Sequence, residues 1–95
     1  MPAIAFEGGL GSGHGCFPPR PNSEGDPTFI INGVAAHAEG MAWETHSCGD
    51  QVHPGVLDAG SPTFLLNGKQ AGRIGDPVDC GSAVAEGDDT FFVSD

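Results

Sequence analysis

GDPTFIING at residues 25–33 and GSPTFLLNG at residues 60–68 decide how this chain is read, because they are one unit written twice. They agree at six of nine positions, and two of the other three exchange Ile for Leu. A third copy, GDDTFFVSD at residues 87–95, keeps the Gly, the Thr-Phe pair and the apolar pair that follows. The copies begin 35 and then 27 residues apart, so the loops vary in length while the unit does not. Self-similarity of this kind marks a repeat architecture, in which units that cannot bury a face alone bury one together.

Each copy has a physical reading. Gly-x-Pro opens it as a turn, and Thr, Phe and the aliphatic residues that follow favour a pleated, half-buried strand. Strands are expected over Thr28–Ile31, Thr63–Leu66 and Thr90–Val93. Alternation places Phe29 and Ile31 on one face with Ile30 on the other, and divides Phe64, Leu66 and Leu65 likewise. Asn32-Gly33 and Asn67-Gly68 fit two-residue type I′ turns, whose central residues both need positive φ. Return strands follow over Val34–His37 and Lys69–Ile74, ending in turns at Glu39-Gly40 and Gly75-Asp76-Pro77. A coil rich in Gly, His and Cys then leads to the next copy. No ten-residue stretch carries a helical period: Val34–Trp43 is Ala-rich, but Gly40 interrupts it and no cap precedes it. The expected fold is all-β with little or no helix. Three hairpin-like repeats, near 25–37, 60–74 and 87–95, surround a pseudo-threefold axis, with Phe29, Phe64 and Phe91 in one layer. They form a small cone, a single domain over 1–95.

Composition explains why such a chain needs more than packing. Leu, Ile, Val and Phe number only 20 of 95 residues, and Gly and Pro together 24. A chain with so small a core calls for a staple: disulfides, a metal or a partner. The net charge is −10, with only Arg20, Lys69 and Arg73 on the basic side. That argues against nucleic acid and against an anionic membrane surface, both of which need clustered cations. It suits solubility and a partner with a neutral or basic face. The first ten residues lack the basic segment and apolar run of a signal peptide. The chain is therefore expected to be made in the cytoplasm and to leave only on a dedicated machine. Three cysteines are a poor disulfide framework, so a reduced compartment with a thiolate on a metal fits better. Cys16 and Cys48 are expected to be small buried residues, joined to each other only in an oxidising place.

The ligand-type residues cluster between the strands. His53 lies seven residues before Gly60 and Cys80 seven before Gly87, so the two occupy equivalent positions. His14 lies eleven before Gly25, with the prolines of Phe17-Pro18-Pro19-Arg20-Pro21 absorbing the difference. His46 lies in Thr45-His46-Ser47-Cys48. Equivalent positions around an axis converge, and three imidazoles with one thiolate make a tetrahedral zinc site with no open position, structural and not catalytic. The same donors also suit iron. Such a zinc contributes on the order of 10 kcal/mol or more to folding. His37, at the end of a return strand, is read as a packing or hydrogen-bonding residue and as the first replacement should one of the four fail.

Catalytic patterns are weak. There is no GxSxG, HExxH or CxxC, and no spacing supports a Cys80 nucleophile with a His base. Gly8-Gly9-Leu10-Gly11-Ser12-Gly13 has neither the Lys nor the helix of a phosphate loop and is read as a flexible loop. Phe17–Pro21 fits either a polyproline recognition segment or a rigid loop presenting His14.

Gly60–Gly68 running into Lys69-Gln70-Ala71-Gly72-Arg73-Ile74-Gly75-Asp76 resembles the repeat of the PAAR-repeat proteins, named for a Pro-Ala-Ala-Arg run. The tetrapeptide itself is absent: it reads Lys-Gln-Ala-Gly-Arg here and Val-Ala-Ala-His in the first copy. The frame is kept through Arg73-Ile74-Gly75-Asp76-Pro77 and Cys80-Gly81, and Gly13–Pro21 resembles the N-terminal loop of single-domain members. The resemblance implies a sharp cone whose base docks, one per trimer, on a trimeric β-helical spike: the valine–glycine-repeat (VgrG-like) protein of type VI secretion, or a contractile phage tail spike. It implies a vertex zinc held by three His and one Cys, which places His14, His46, His53 and Cys80 there. It implies only transient membrane contact, as the tip is driven through by sheath contraction. A metal-dependent adaptor for effectors is the alternative. A small secreted metalloenzyme is a further one, since longer members carry such domains, but the sequence given stops at Asp95, directly after the third copy.

Overall fold

Eight short antiparallel strands, and no helix, carry residues 2–93, which are those the computed structural model describes. They are β1 (Ala3–Ile4), β2 (Asp26–Ile31), β3 (Val34–Ala36), β4 (Ala42–Cys48), β5 (Gln51–Val56), β6 (Leu65–Leu66), β7 (Lys69–Gln70) and β8 (Asp88–Phe92). They pair as four two-stranded ribbons, β1–β8, β2–β3, β4–β5 and β6–β7. The fold is all-β.

The first two copies fold as hairpins. Ile31 pairs with Val34 across Asn32-Gly33, and Leu66 with Lys69 across Asn67-Gly68. The turn residues have φ of 53° and 80° in the first and 52° and 83° in the second, as the type I′ geometry demands. The third copy is completed differently. Its strand β8 pairs with β1, Ala3 opposite Phe92, so the start of the chain supplies its return strand. No Asn-Gly turn follows Phe92, and Ser94 and Asp95 of that copy lie outside the described residues, as does Met1.

The three return segments are linked in rings. Ala5 N–H donates to Gly72 O (2.8 Å), Gly72 N–H to His37 O (2.9 Å) and His37 N–H to Ala5 O (3.0 Å). One layer away, Glu7 N–H donates to Ala35 O (2.8 Å), Glu39 N–H to Gln70 O (2.8 Å) and Ile74 N–H to Ala3 O (3.0 Å). In both sets the bonds run from one return segment to the next and back to the first. They also satisfy backbone groups that would otherwise be buried without partners.

Above these rings Phe29, Phe64 and Phe91 meet edge to face, with centroid separations of 5.6, 5.8 and 5.8 Å, each contact worth about 0.5–1.5 kcal/mol beyond its buried area. They pack on a core of Ile4, Ala36, Leu66, Ala71 and Val93. A second cluster, Ala5, Trp43, Leu57, Val78 and Val84, lies against Cys80. The alternation expected of the strands holds: Ile30, Leu65 and Phe92, the outward residue of each copy, are exposed. The opening glycines have a steric cause. A Cβ on Gly25 would come within 2.7 Å of Ala35 Cβ and one on Gly87 within 2.9 Å of Ala3 Cβ, while one on Gly60 would run into the Ala71 carbonyl.

Several expectations need correcting. β2 begins two residues early, at Asp26, because the Asp26 carboxylate accepts from Thr28 N–H and Oγ1 and draws the turn into the strand. Strand geometry in the second copy is confined to Leu65–Leu66 and Lys69–Gln70, and the first return strand stops at Ala36. The expected coil after the first copy is instead the long hairpin β4–β5, reversed at Gly49-Asp50 with Gly49 at φ 61°. The glycine-rich stretch is no flexible loop either. Gly11 N–H donates to Arg20 O and Ser12 N–H to Ala83 O, and a Cβ on Gly11 would meet the Trp43 ring at 2.8 Å.

Candidate metal centre

β4 and β5 place His46 directly opposite His53, with imidazole centroids 4.5 Å apart. His14 arrives from a separate tight turn, in which His14 N–H donates to Phe17 O (3.1 Å), Phe17 N–H to His14 O (2.8 Å), and Gly15 takes φ 55°. Its ring lies 5.1 Å from that of His46 and 5.2 Å from that of His53. Cys80 comes from the loop before β8. One donor atom from each of His14, His46, His53 and Cys80 falls within 4.8 Å of all the others. All four residues expected to be ligands are thus brought together, and His37 is not among them.

The surroundings fit a metal. His46 Nδ1 lies 3.0 Å from Pro18 O and His53 Nδ1 3.0 Å from Pro54 O. A carbonyl only accepts, so each Nδ1 carries the proton and each Nε2 presents a lone pair; such partners fix the tautomer of ligating histidines. The Nε2 atoms of His14 and His46 are buried with no hydrogen-bond partner, a state costly to leave uncompensated. Burial lowers the His46 pKa, aided by the charges of Arg20, His53 and His14 and opposed by the Pro18 carbonyl, and so favours the neutral imidazole a metal needs. The N₃S donor set can hold one cation with every position filled.

Two supports were not foreseen. The Phe17 ring lies against all three imidazoles, at 4.9, 4.8 and 4.3 Å from His14, His46 and His53. Arg20, 3% exposed, donates from Nη1 to Glu44 O and His53 O and from Nη2 to Cys80 Sγ at 3.0 Å. Composition gives the one hint, since Arg20 is the only basic residue before Lys69.

The matching of positions also needs amendment. Leu57 N–H donates to Met41 O as Val84 does to Asp76 O and Asn22 does to Gly9 O, which makes Asn22, Leu57 and Val84 equivalent. By that register the counterpart of His53 and Cys80 is Pro18. It contributes its carbonyl to His46, while His14 reaches the cluster from the preceding turn.

Cys16 and Cys48 are not buried small residues. Cys16 is exposed, Cys48 half-buried, and the two form a disulfide with Cα atoms 5.6 Å apart. The odd count misled: Cys80 joins the histidines and the remaining two pair. His37 is fully buried; its Nδ1 donates to Glu24 O at 2.7 Å and its ring stands edge-on to Trp43, the hydrogen-bonding role expected of it.

Comparison with protein families decides the affiliation. The PAAR motif model matches residues 23–86, about two thirds of the chain. The chain belongs to the PAAR-motif family. The matched span of this PAAR-motif chain contains His46, His53 and Cys80, whereas His14 and the strand pair β1–β8 lie outside it. No curated protein matches the PAAR-motif chain.

Proposed function

We propose that the chain is the tip of a contractile injection machine: it caps the blunt end of a trimeric β-helical, VgrG-like or phage tail spike and sharpens it for membrane puncture. The observation that carries this reading is a set of three outward apolar residues at equivalent repeat positions, Ile30, Leu65 and Phe92, exposed at 53%, 53% and 51%. Scattered apolar residues on a surface need no explanation. One per repeat does, and a partner with three identical chains meets such a set with one chain each.

The four-donor site is the vertex of this tip, a single domain over 1–95 that tapers as a cone away from the aromatic layer. Zinc is the cation that an N₃S set with structural use fits best. With every position taken by a side chain, such a metal holds the vertex and does no chemistry, so the chain acts as a structural part and not an enzyme. It is made in the cytoplasm and leaves on the spike.

Light scattering on the chain mixed with a trimeric spike protein of this type tests the reading. One chain per trimer is expected, lost in the triple variant Ile30→Asp, Leu65→Asp, Phe92→Asp with its circular dichroism unchanged. A triple variant that still binds would contradict the docking role of this set.

A further inference from the structure

The disulfide and the four-donor group draw on the same two segments of chain. His14-Gly15-Cys16 and His46-Ser47-Cys48 are twin His-x-Cys triplets, and the disulfide spans 32 residues. The same separation holds between His14 and His46, whose rings meet 5.1 Å apart inside the four-donor group. Each triplet therefore offers its His to the metal cluster and its Cys to the disulfide. A metal held by the four donors would tie the turn carrying His14 to β4 a second time.

We propose that the Cys16–Cys48 disulfide is a redox clamp on the metal centre, so that oxidation of the pair and occupancy of the site reinforce each other. The inference rests on the reading of His14, His46, His53 and Cys80 as metal ligands.

The physical reason is shared loop closure. Bringing the 14–16 turn to β4 has an entropic cost, and whichever linkage forms first bears it for the second. With the disulfide closed, His14 is already beside His46 when the metal arrives. With the metal bound, the two sulfurs are already neighbours when an oxidant arrives. Linkage requires the two effects to be equal in size. Closure of a free loop of this length is worth roughly several hundredfold. The turn is also held by the bonds of Gly11 and Ser12, so about tenfold remains for the clamp.

The exchange balances with a low-molecular-weight disulfide such as oxidised glutathione. The two thiols each give up a proton and, together, two electrons; the Cys16–Cys48 bond forms, the glutathione disulfide breaks, and two reduced glutathiones leave. Reduced glutathione runs it backwards. Cys16 is exposed and open to this exchange. A chain in a reducing place would then hold its metal less tightly than one in an oxidising place, where the tip would be locked.

Two measurements test the clamp, one on a variant and one on the wild type. Zinc affinity is read by competition with a chromophoric chelator for the oxidised wild type and for Cys16→Ser/Cys48→Ser. The disulfide midpoint of the wild type is read in glutathione buffers, with one equivalent of zinc and with the metal chelated. The double variant is expected to bind zinc about tenfold more weakly, and zinc to move the midpoint by the same factor, about 30 mV more negative. Zinc bound within twofold by both forms, with an unmoved midpoint, overturns the clamp and leaves the metal site standing. No zinc in either form overturns the metal reading and the clamp with it.

Discussion

Arg20 Nη2 donates to Cys80 Sγ at 3.0 Å, joining residues 60 apart in sequence. The same guanidinium holds the Glu44 and His53 carbonyls, so one buried cation ties the proline-rich segment to β4, β5 and the loop of Cys80. Replacing it by Met removes the hydrogen bonds to all three acceptors and is expected to lower stability by about 2–4 kcal/mol. Arg20→Lys should recover less than half, because a single ammonium cannot span a fork of acceptors. Urea unfolding of the metal-loaded proteins measures both. Arg20→Met at wild-type stability would mean that the hydrogen bonds are not what holds these segments.

Two kinds of glycine make a second contrast. Gly60→Ala drives a Cβ against the Ala71 carbonyl, with Ala71 C at 2.8 Å, and is expected to cost about 3 kcal/mol or more through backbone displacement. Gly33 has open space around it and a φ of 80°, so Gly33→Ala should cost only about 1–2 kcal/mol, the strain of the left-handed conformation. Melting temperatures give the order, and equal losses would contradict the close approach at Gly60.

Much of this fold could be read from the repeat, and the reason is local. Asn32-Gly33 and Asn67-Gly68 impose their turn whatever surrounds them, and alternation sorts Phe29 from Ile30 without knowledge of the partner. The four donors could be found because repeat register brings His53 and Cys80 together and their chemistry admits His14 and His46. What was hidden was set by distance along the chain. The pairing of β1 with β8 joins opposite ends of the sequence and has no turn signal. The β4–β5 hairpin was masked by Gly49, Gly55 and Pro54, which read as coil until the cross-strand pair His46–His53 is seen. The Cys16–Cys48 bond was obscured by Cys80, whose use in the cluster makes the odd count even.

The aromatic triangle predicts a position-specific response. Phe64→Ala opens a gap between Phe29 and Phe91 and is expected to cost about 3 kcal/mol. Phe92→Ala, next to the equivalent Phe91 but half exposed, should stay within about 0.5 kcal/mol. Chemical denaturation of the pair checks this, and a Phe64→Ala protein as stable as Phe92→Ala would mean that the layer is not part of the core.

Acid should weaken the fold through His37. Burial pushes its pKa below the ordinary histidine range, against the Glu24 carbonyl hydrogen bond and the Glu24 charge, which raise it. The unfolded chain therefore takes up a proton where the folded chain does not. Stability is intact above the unfolded histidine value of about 6.5 and falls as pH drops toward the lower folded value. In metal-free protein, His37→Gln is expected to flatten the slope of stability between about pH 6.5 and 5. Part of the slope remains, because His46 is shifted in the same direction. Identical slopes for wild type and variant would show that His37 takes up its proton as readily in the folded chain as in the unfolded one.

The most direct measurement is metal content and coordination: elemental analysis of the purified chain, with zinc K-edge X-ray absorption, on wild type and Cys80→Ser, and melting curves before and after chelation. One zinc per chain is expected, with three nitrogens and one sulfur around it, lost or weakened in Cys80→Ser together with much of the thermal stability. A metal-free wild type, or one whose melting temperature is unmoved by chelator, would contradict the metal-pinned vertex and leave the hydrogen-bonded rings and the aromatic layer as the whole basis of the fold.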